Sequence, residues 1–284
     1  MPIIDTHVHD VPLLKKLPVL FDRLAGSLPA GDGREASGLD ELPADMDRVG
    51  VAVSLVVLYT HEEEFLRLAS ANPGRLFGLA YYDSLHPAES LERIQTLAAE
   101  RPDLLVGIST AFPYFHQDPR LGEFRPLYDY CERRRLPIQF HAGGDPTMEA
   151  VSRPAVFGEL ARAHPRLPVI CLHAGGSGFQ EIPAYLRQIP NLFLEVEGLQ
   201  ETDLSGDGRP RVLWEILRSA PSRKVMFGSN RMHRNGPYAA RVQAVRALPA
   251  TQREDVCWQT AAAVYGPRLL GHQAAVSLAH SSSR

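Results

Sequence analysis

The chain has 284 residues, 44% apolar and 22% charged, with a formal net charge of -3. This is enough apolar mass for one large α/β core, and too little charge excess to suggest nucleic acid or an anionic membrane as partner. Three cysteines, Cys131, Cys171 and Cys257, show no pairing pattern and fit a reducing compartment. No apolar run approaches the roughly 20 residues that span a bilayer, and the first strand begins too early for a signal peptide to fit, so a cytoplasmic protein is expected.

The first strand, Ile3 to Asp10, alternates apolar and polar residues. Alternation puts Asp5, His7 and His9 on one face and Ile4, Thr6 and Val8 on the other. Two imidazoles two residues apart on a strand lie side by side, within reach of one metal ion. An insertion follows at 11–38, rich in proline and glycine, with a short helix expected over 13–24 and the length of a lid. Leu39, Leu42, Met46 and Val49 then recur at helical spacing before Gly50.

A repeating pattern begins there. Apolar runs at Val51–Leu58, Leu76–Tyr82, Leu104–Thr110, Leu136–His141, Leu167–His173, Leu192–Glu197 and Arg223–Ser229 read as strands covered on both faces. Amphipathic stretches separate them, including Glu62–Ala71, Pro87–Glu100 and Arg211–Ser219, and helices near Tyr238–Leu248 and Arg253–Val264 close the pattern. Eight strands alternating with helices predict a parallel (β/α)8 TIM barrel, formed by residues 1–284 as one domain. No glycine-rich GxGxxG follows the first strand, which argues against an open dinucleotide-binding sheet.

In such a barrel the chemistry sits at the C-terminal strand ends. His7 and His9 lie on strand one, His141 ends strand five and His173 ends strand six. His61, His86, His116 and His233 fall in loops on the same rim. Exposed rim loops account for those four, but core filling is a poor account of the strand-borne ones. His7, His9 and His141 can supply three nitrogen ligands to a divalent metal, zinc first and manganese second, with a position left for water. His173 is placed to act as general acid or base, or as a further ligand. The glycine pairs in His141-Ala142-Gly143-Gly144 and His173-Ala174-Gly175-Gly176 read as space for a ligand, or as simple turns.

The phrases IIDTHVHD at 3–10, DMDRVGV at 45–51, NPGRLFGLAYYD at 72–83, FRPLYDYCERRRLPIQFHAGG at 124–144, HPRLPVICLHAGG at 164–176, KVMFGSN at 224–230 and TAAAVYG at 260–266 occur in a characteristic order. The chain resembles the amidohydrolase superfamily, in the amidohydrolase-related branch that holds aminocarboxymuconate-semialdehyde decarboxylase, related decarboxylases and dicarboxylate lactone hydrolases. The resemblance implies a barrel of the metal-dependent hydrolase type, with His7, His9 and His141 as metal ligands and His173 as the catalytic histidine.

Where the family ends strand eight in Gly-Ser-Asp, this chain has Gly228-Ser229-Asn230. Asparagine offers an amide oxygen but no negative charge and no proton acceptor, so metal affinity and water activation should both weaken. Ser109 stands where the family often carries a lysine or acidic residue. Strand seven places Glu195 and Glu197 on one face, and Glu197, nearer the rim, is a candidate to take over the aspartate's role or to pair with a nearby arginine. Asp5 is expected to orient a histidine. Arg231 and His233, in the loop after strand eight, join Ser109 as substrate-binding candidates, since guanidinium suits a carboxylate. Phe112, Tyr114 and Phe115 are candidates for an aromatic wall.

The sequence-based expectation is therefore a metal-dependent hydrolase of a small lactone, amide or ester bearing a carboxylate or an aromatic ring. The alternatives are a non-oxidative decarboxylase, and a degenerate barrel that Asn230 has deprived of metal. The partner expected is a small-molecule substrate, with no nucleic acid and no membrane, and a homodimer is the default assembly.

Overall fold

The computed structural model describes residues 1–9, 38–59, 62–143, 146–196, 211–231 and 237–270. The insertion expected at 11–38 lies outside them apart from Gly38. Eight parallel strands stand in chain order, each paired with the next. They are β1 (Ile4–Val8), β2 (Val53–Leu58), β3 (Leu76–Tyr82), β4 (Leu105–Thr110), β5 (Ile138–Phe140), β6 (Val169–Cys171), β7 (Leu192–Val196) and β8 (Val225–Phe227). The helices that alternate with them are α1 (Leu42–Val49), α2 (Glu62–Ala71), α3 (Pro87–Glu100), α4 (Arg125–Arg134), α5 (Pro154–Ala163), α6 (Ile182–Gln188), α7 (Arg211–Ser219) and α8 (Pro237–Arg246). No helix among the described residues is long and apolar enough to cross a membrane.

Two apolar layers result. Inside the barrel, Val53, Leu55 and Val57 of the second strand, and Tyr59 just after it, meet Phe77, Leu79 and Tyr81 of the third. Between sheet and helices, Val56 and Leu58 pack with Phe65, Ile94 and Leu97. Period-two alternation thus feeds both layers from one strand. Helix α1 shows the local logic. Leu42, Met46 and Val49 share its buried face, and Gly50 ends it at φ 73°, after which the Val51 amide donates back to the Met46 carbonyl.

The barrel is nearly closed. Thr6 Oγ1 donates to the Phe227 carbonyl at 2.9 Å, and the Asn230 amide donates to the His7 carbonyl at 2.8 Å. A single bridge joins Val8 to Arg231. The strict alternation expected of strand one fails, because its register against β2 shifts between Asp5 and Val8. Ile4 consequently packs inside the barrel while Val8 packs outside it.

Candidate active site

Each imidazole reaches the cavity from a strand end and is held by a partner behind it. His7 Nδ1 lies 2.8 Å from Gln139 Oε1. Gln139 Nε2 donates to the Thr6 carbonyl at 2.6 Å and to the Tyr265 hydroxyl at 2.8 Å. A carbonyl can only accept, so the amide orientation is fixed and Oε1 accepts from His7 Nδ1–H, which makes Nε2 the nitrogen of that ring that carries the lone pair. His9 Nδ1 meets the Tyr59 hydroxyl at 2.5 Å. His141 Nδ1 and His173 Nε2 are 2.6 Å apart, with one proton between them.

Burial drives the His9 imidazole well below its ordinary pKa, helped by His7 and His173 and opposed by a hydrogen bond with the Asn230 side chain. Burial, and then His173, do the same to His141. Both rings are therefore neutral near pH 7, the state that can ligate a metal. Ring centres are 4.5 Å apart for His7 and His9 and 5.8 Å for His7 and His173. Two imidazoles on one tetrahedral zinc stand about 5 Å apart. Donor chemistry and the His7–His9 ring spacing thus suit a divalent ion, although no three of these nitrogens lie within 4.8 Å of one another. The only described group of His, Cys, Asp or Glu that does is Asp129, Glu132 and His164. It lies outside the barrel, on α4 and after α5, and Arg166 also approaches Glu132, at 3.8 Å.

The four imidazoles surround a cavity of about 50 Å³ together with Asn230, Ser109, Leu172 and three tyrosines, Tyr59, Tyr81 and Tyr114. No carboxylate is among its described lining residues. Of the expected aromatic wall only Tyr114 reaches it, its ring 4.4 Å from His141. Phe112 belongs instead to the outer core.

Both buried acids beside the site hold backbone rather than face the cavity. Asp5 Oδ1 accepts from the Ser229 amide at 2.7 Å and, more weakly, from the His7 amide at 3.4 Å. Asp5 Oδ2 accepts from Ser229 Oγ at 2.5 Å. Burial pushes the Asp5 carboxyl up to about 6 against the pull of those Ser229 bonds. Asp5 therefore fixes the β1–β8 seam, and the His7 ring is oriented by Gln139 instead. Glu195 Oε2 accepts from the His173 amide at 3.2 Å, and a Cβ at Gly228 would stand 2.0 Å from Glu195 Oε1. Glu197 and His233 lie outside the described residues.

Arg231 requires a correction. Asn230 takes a left-handed backbone, φ 47°, and Arg231 then bridges to Val8 on the seam. Its side chain is fully buried and paired with Asp45 of α1, through Nε at 2.9 Å and through Nη2. It does not reach the mouth. Gly143 and Gly176, one from each glycine pair, do not open space for a ligand, and Gly144 lies outside the described residues. A Cβ on Gly143 would stand 2.8 Å from the Gly176 Cα, and one on Gly176 2.3 Å from the Gly143 Cα. They let the loops after β5 and β6 touch.

Fold and cavity together define a barrel of the amidohydrolase superfamily, and a family model described as Amidohydrolase matches residues 4–266. The chain belongs to that family, and family and fold both support an enzyme. No curated protein matches it. Among solved structures it is similar to 5-carboxyvanillate decarboxylase from Sphingomonas paucimobilis, with 17% identity over 93% of this chain and 98% of that one, at a TM-score of 0.68. It is similar to a dihydroxybenzoic acid decarboxylase from Polaromonas sp. JS666 with bound manganese and 2-nitroresorcinol, with 15% identity, 93% and 96% coverage and a TM-score of 0.62. A probable 2-pyrone-4,6-dicarboxylic acid hydrolase from Acinetobacter baumannii matches with 14% identity, 93% and 99% coverage and a TM-score of 0.62.

Proposed function

We propose that this protein is a metal-dependent carboxy-lyase that removes CO2, without oxidation, from a small aromatic or unsaturated carboxylic acid. The observation that carries the reading is a cavity lined by four imidazoles, a neutral Asn230 and three tyrosines, with no carboxylate among its described lining. An acid facing the cavity would repel a substrate carboxylate and would serve as base for an attacking water. Decarboxylation needs no water activated in that way. Likeness to decarboxylases of this fold supports the reading as analogy.

His7, His9 and His141 would hold the divalent ion, zinc or manganese. When bound, such an ion polarises a substrate oxygen and draws electron density from the ring. The tyrosine rings and Leu172 exclude water from the carboxylate, which disfavours its charge and favours loss of neutral CO2. The carbon–carbon bond breaks, its electron pair stays on the substrate carbon, and a proton must replace CO2 there. We assign to His173 the delivery of that proton and its recovery from solvent, a role supported by the bond of its ring to His141.

Protein loaded with zinc or manganese and given a panel of hydroxybenzoates and unsaturated dicarboxylates in deuterated water should release CO2. The product should carry deuterium at the carbon that bore the carboxylate. Ring opening of a lactone with no CO2 from any acid would refute the carboxy-lyase reading and return the hydrolase that the sequence favours. A purified chain that takes up no metal would refute both.

A further inference from the structure

Three tyrosines line the cavity, and the first two form a tilted pair with ring centres 5.0 Å apart. The Tyr59 hydroxyl is committed to His9 Nδ1. Tyr81 differs. Its side chain comes from the C-terminal end of β3 and belongs to the inner layer, the residue is only 5% exposed, and its hydroxyl has no hydrogen-bond partner among the described residues. A buried hydroxyl that makes no hydrogen bond costs free energy, and that cost is recovered when something arrives to fill it.

The same two tyrosines also wall a second cavity of about 180 Å³, toward α3, with Asp83, His86 and Arg93. Tyr81 therefore stands on the partition between the reaction chamber and an adjoining space. Burial and the charges behind the partition decide what it can receive. Burial, and then Asp83, disfavour a negative charge at the Tyr81 hydroxyl, opposed by Arg93, which pairs with Glu62 and donates to the Tyr81 carbonyl. Burial therefore favours a neutral substituent there over an anionic one. A hydroxyl that can both donate and accept is best matched by another such group.

We infer that Tyr81 is a specificity-determining residue whose hydroxyl hydrogen-bonds a neutral phenolic hydroxyl on the ring of the substrate. The inference rests on the reading of the site as one for aromatic carboxylates, and it narrows that class to hydroxylated rings. A site built to bond a hydroxyl rejects the analogue lacking it, because its own buried group is then left unpaired.

The test compares the full-length protein and Tyr81→Phe, both as purified, by calorimetric titration with benzoate and with 2-, 3- and 4-hydroxybenzoate. At least one hydroxybenzoate should bind the natural protein about tenfold more tightly than benzoate, the worth of one hydrogen bond to a buried group. Tyr81→Phe should erase that difference while leaving benzoate affinity unchanged. Its melting temperature should be no lower, since the substitution removes only a buried oxygen that lacks a partner among the described residues. A merely structural tyrosine would shift all four ligands together. If benzoate binds and hydroxylation gains nothing, or the gain survives in Tyr81→Phe, the inference is overturned and the aromatic-carboxylate reading stands. If none of the four ligands binds the natural protein, that reading fails and Tyr81 loses its role with it.

Discussion

The buried pair between Arg231 and Asp45 offers the sharpest check on how the barrel closes. Arg231 is fully buried at its side chain, Asp45 is 2% exposed, and both Nε and Nη2 of the guanidinium donate to Asp45 Oδ2. Its third nitrogen, Nη1, is buried with no partner among the described residues. Asp45, by contrast, keeps a second cation, since Arg48 donates to its Oδ1 from a half-exposed position. Removing one partner of a buried pair costs about 3–5 kcal/mol, because the remaining charge is left uncompensated. The asymmetry predicts an order: Asp45→Leu strands a guanidinium with no other acidic partner among the described residues and should lose the full amount, while Arg231→Met leaves Asp45 with Arg48 and should lose less. In a domain of this size each kcal/mol lowers the melting temperature by roughly 2–4 °C, so Asp45→Leu should melt about 10 °C or more below the natural protein. The double variant should recover much of that loss, since two apolar side chains replace two charges. Urea unfolding followed by circular dichroism measures all four proteins. A loss below about 1 kcal/mol for Asp45→Leu, or a double variant as unstable as the sum of its parts, would show that Arg231 is not held in this pair.

Three further outcomes are expected. Gln139→Leu removes the acceptor that fixes the His7 ring and should weaken metal binding by about 10–100-fold, read as metal retained against a graded chelator; undiminished retention would detach Gln139 from the site. Asn230→Asp restores a negative charge beside His9 and should raise metal retention in the same assay, and equal retention would remove position 230 from the ion's surroundings. Burial pushes the Cys257 thiol up to about 11 and those of Cys131 and Cys171 higher still. A thiol reagent at pH 8 should therefore find no fast-reacting cysteine in the folded protein and all three after unfolding, and a rapid native reaction would contradict the burial of these side chains.

The barrel was legible because a strand covered on both faces must be apolar throughout, and seven such runs follow the first strand. The ends were less so. The run from Leu136 to His141 yields only Ile138–Phe140 as strand, and that from Leu167 to His173 only Val169–Cys171. Pro137 and Pro168 lack an amide proton to extend the ladder backwards. The imidazoles were legible by position, at strand ends on one rim. Their supports were not, because Gln139 reaches His7 across the barrel and Tyr59 reaches His9 from the neighbouring strand. One signal was present: Gln139 is a polar residue inside an apolar strand, two places before His141 and so on the same face. The register shift in β1 and the turning of Arg231 onto Asp45 depend on pairing and on one backbone torsion, neither of which composition reveals.

That torsion belongs to a pattern. Five described non-glycine residues have positive φ. Arg135 ends α4 and His116 ends a short 3-10 turn, where left-handed residues are ordinary. The others are His173, Ala174 and Asn230, with φ of 57°, 55° and 47°, and His173 and Asn230 line the cavity. A left-handed backbone costs about 1–2 kcal/mol for a residue with a Cβ, so it persists only where surrounding contacts enforce it. Those contacts come from the two buried acids: Glu195 accepts from the His173 amide, and Asp5 holds Ser229 immediately before Asn230. Asp5 and Glu195 thus act on the backbone from behind, aiming an imidazole and an amide inward. The cavity's described lining holds no carboxylate as a result.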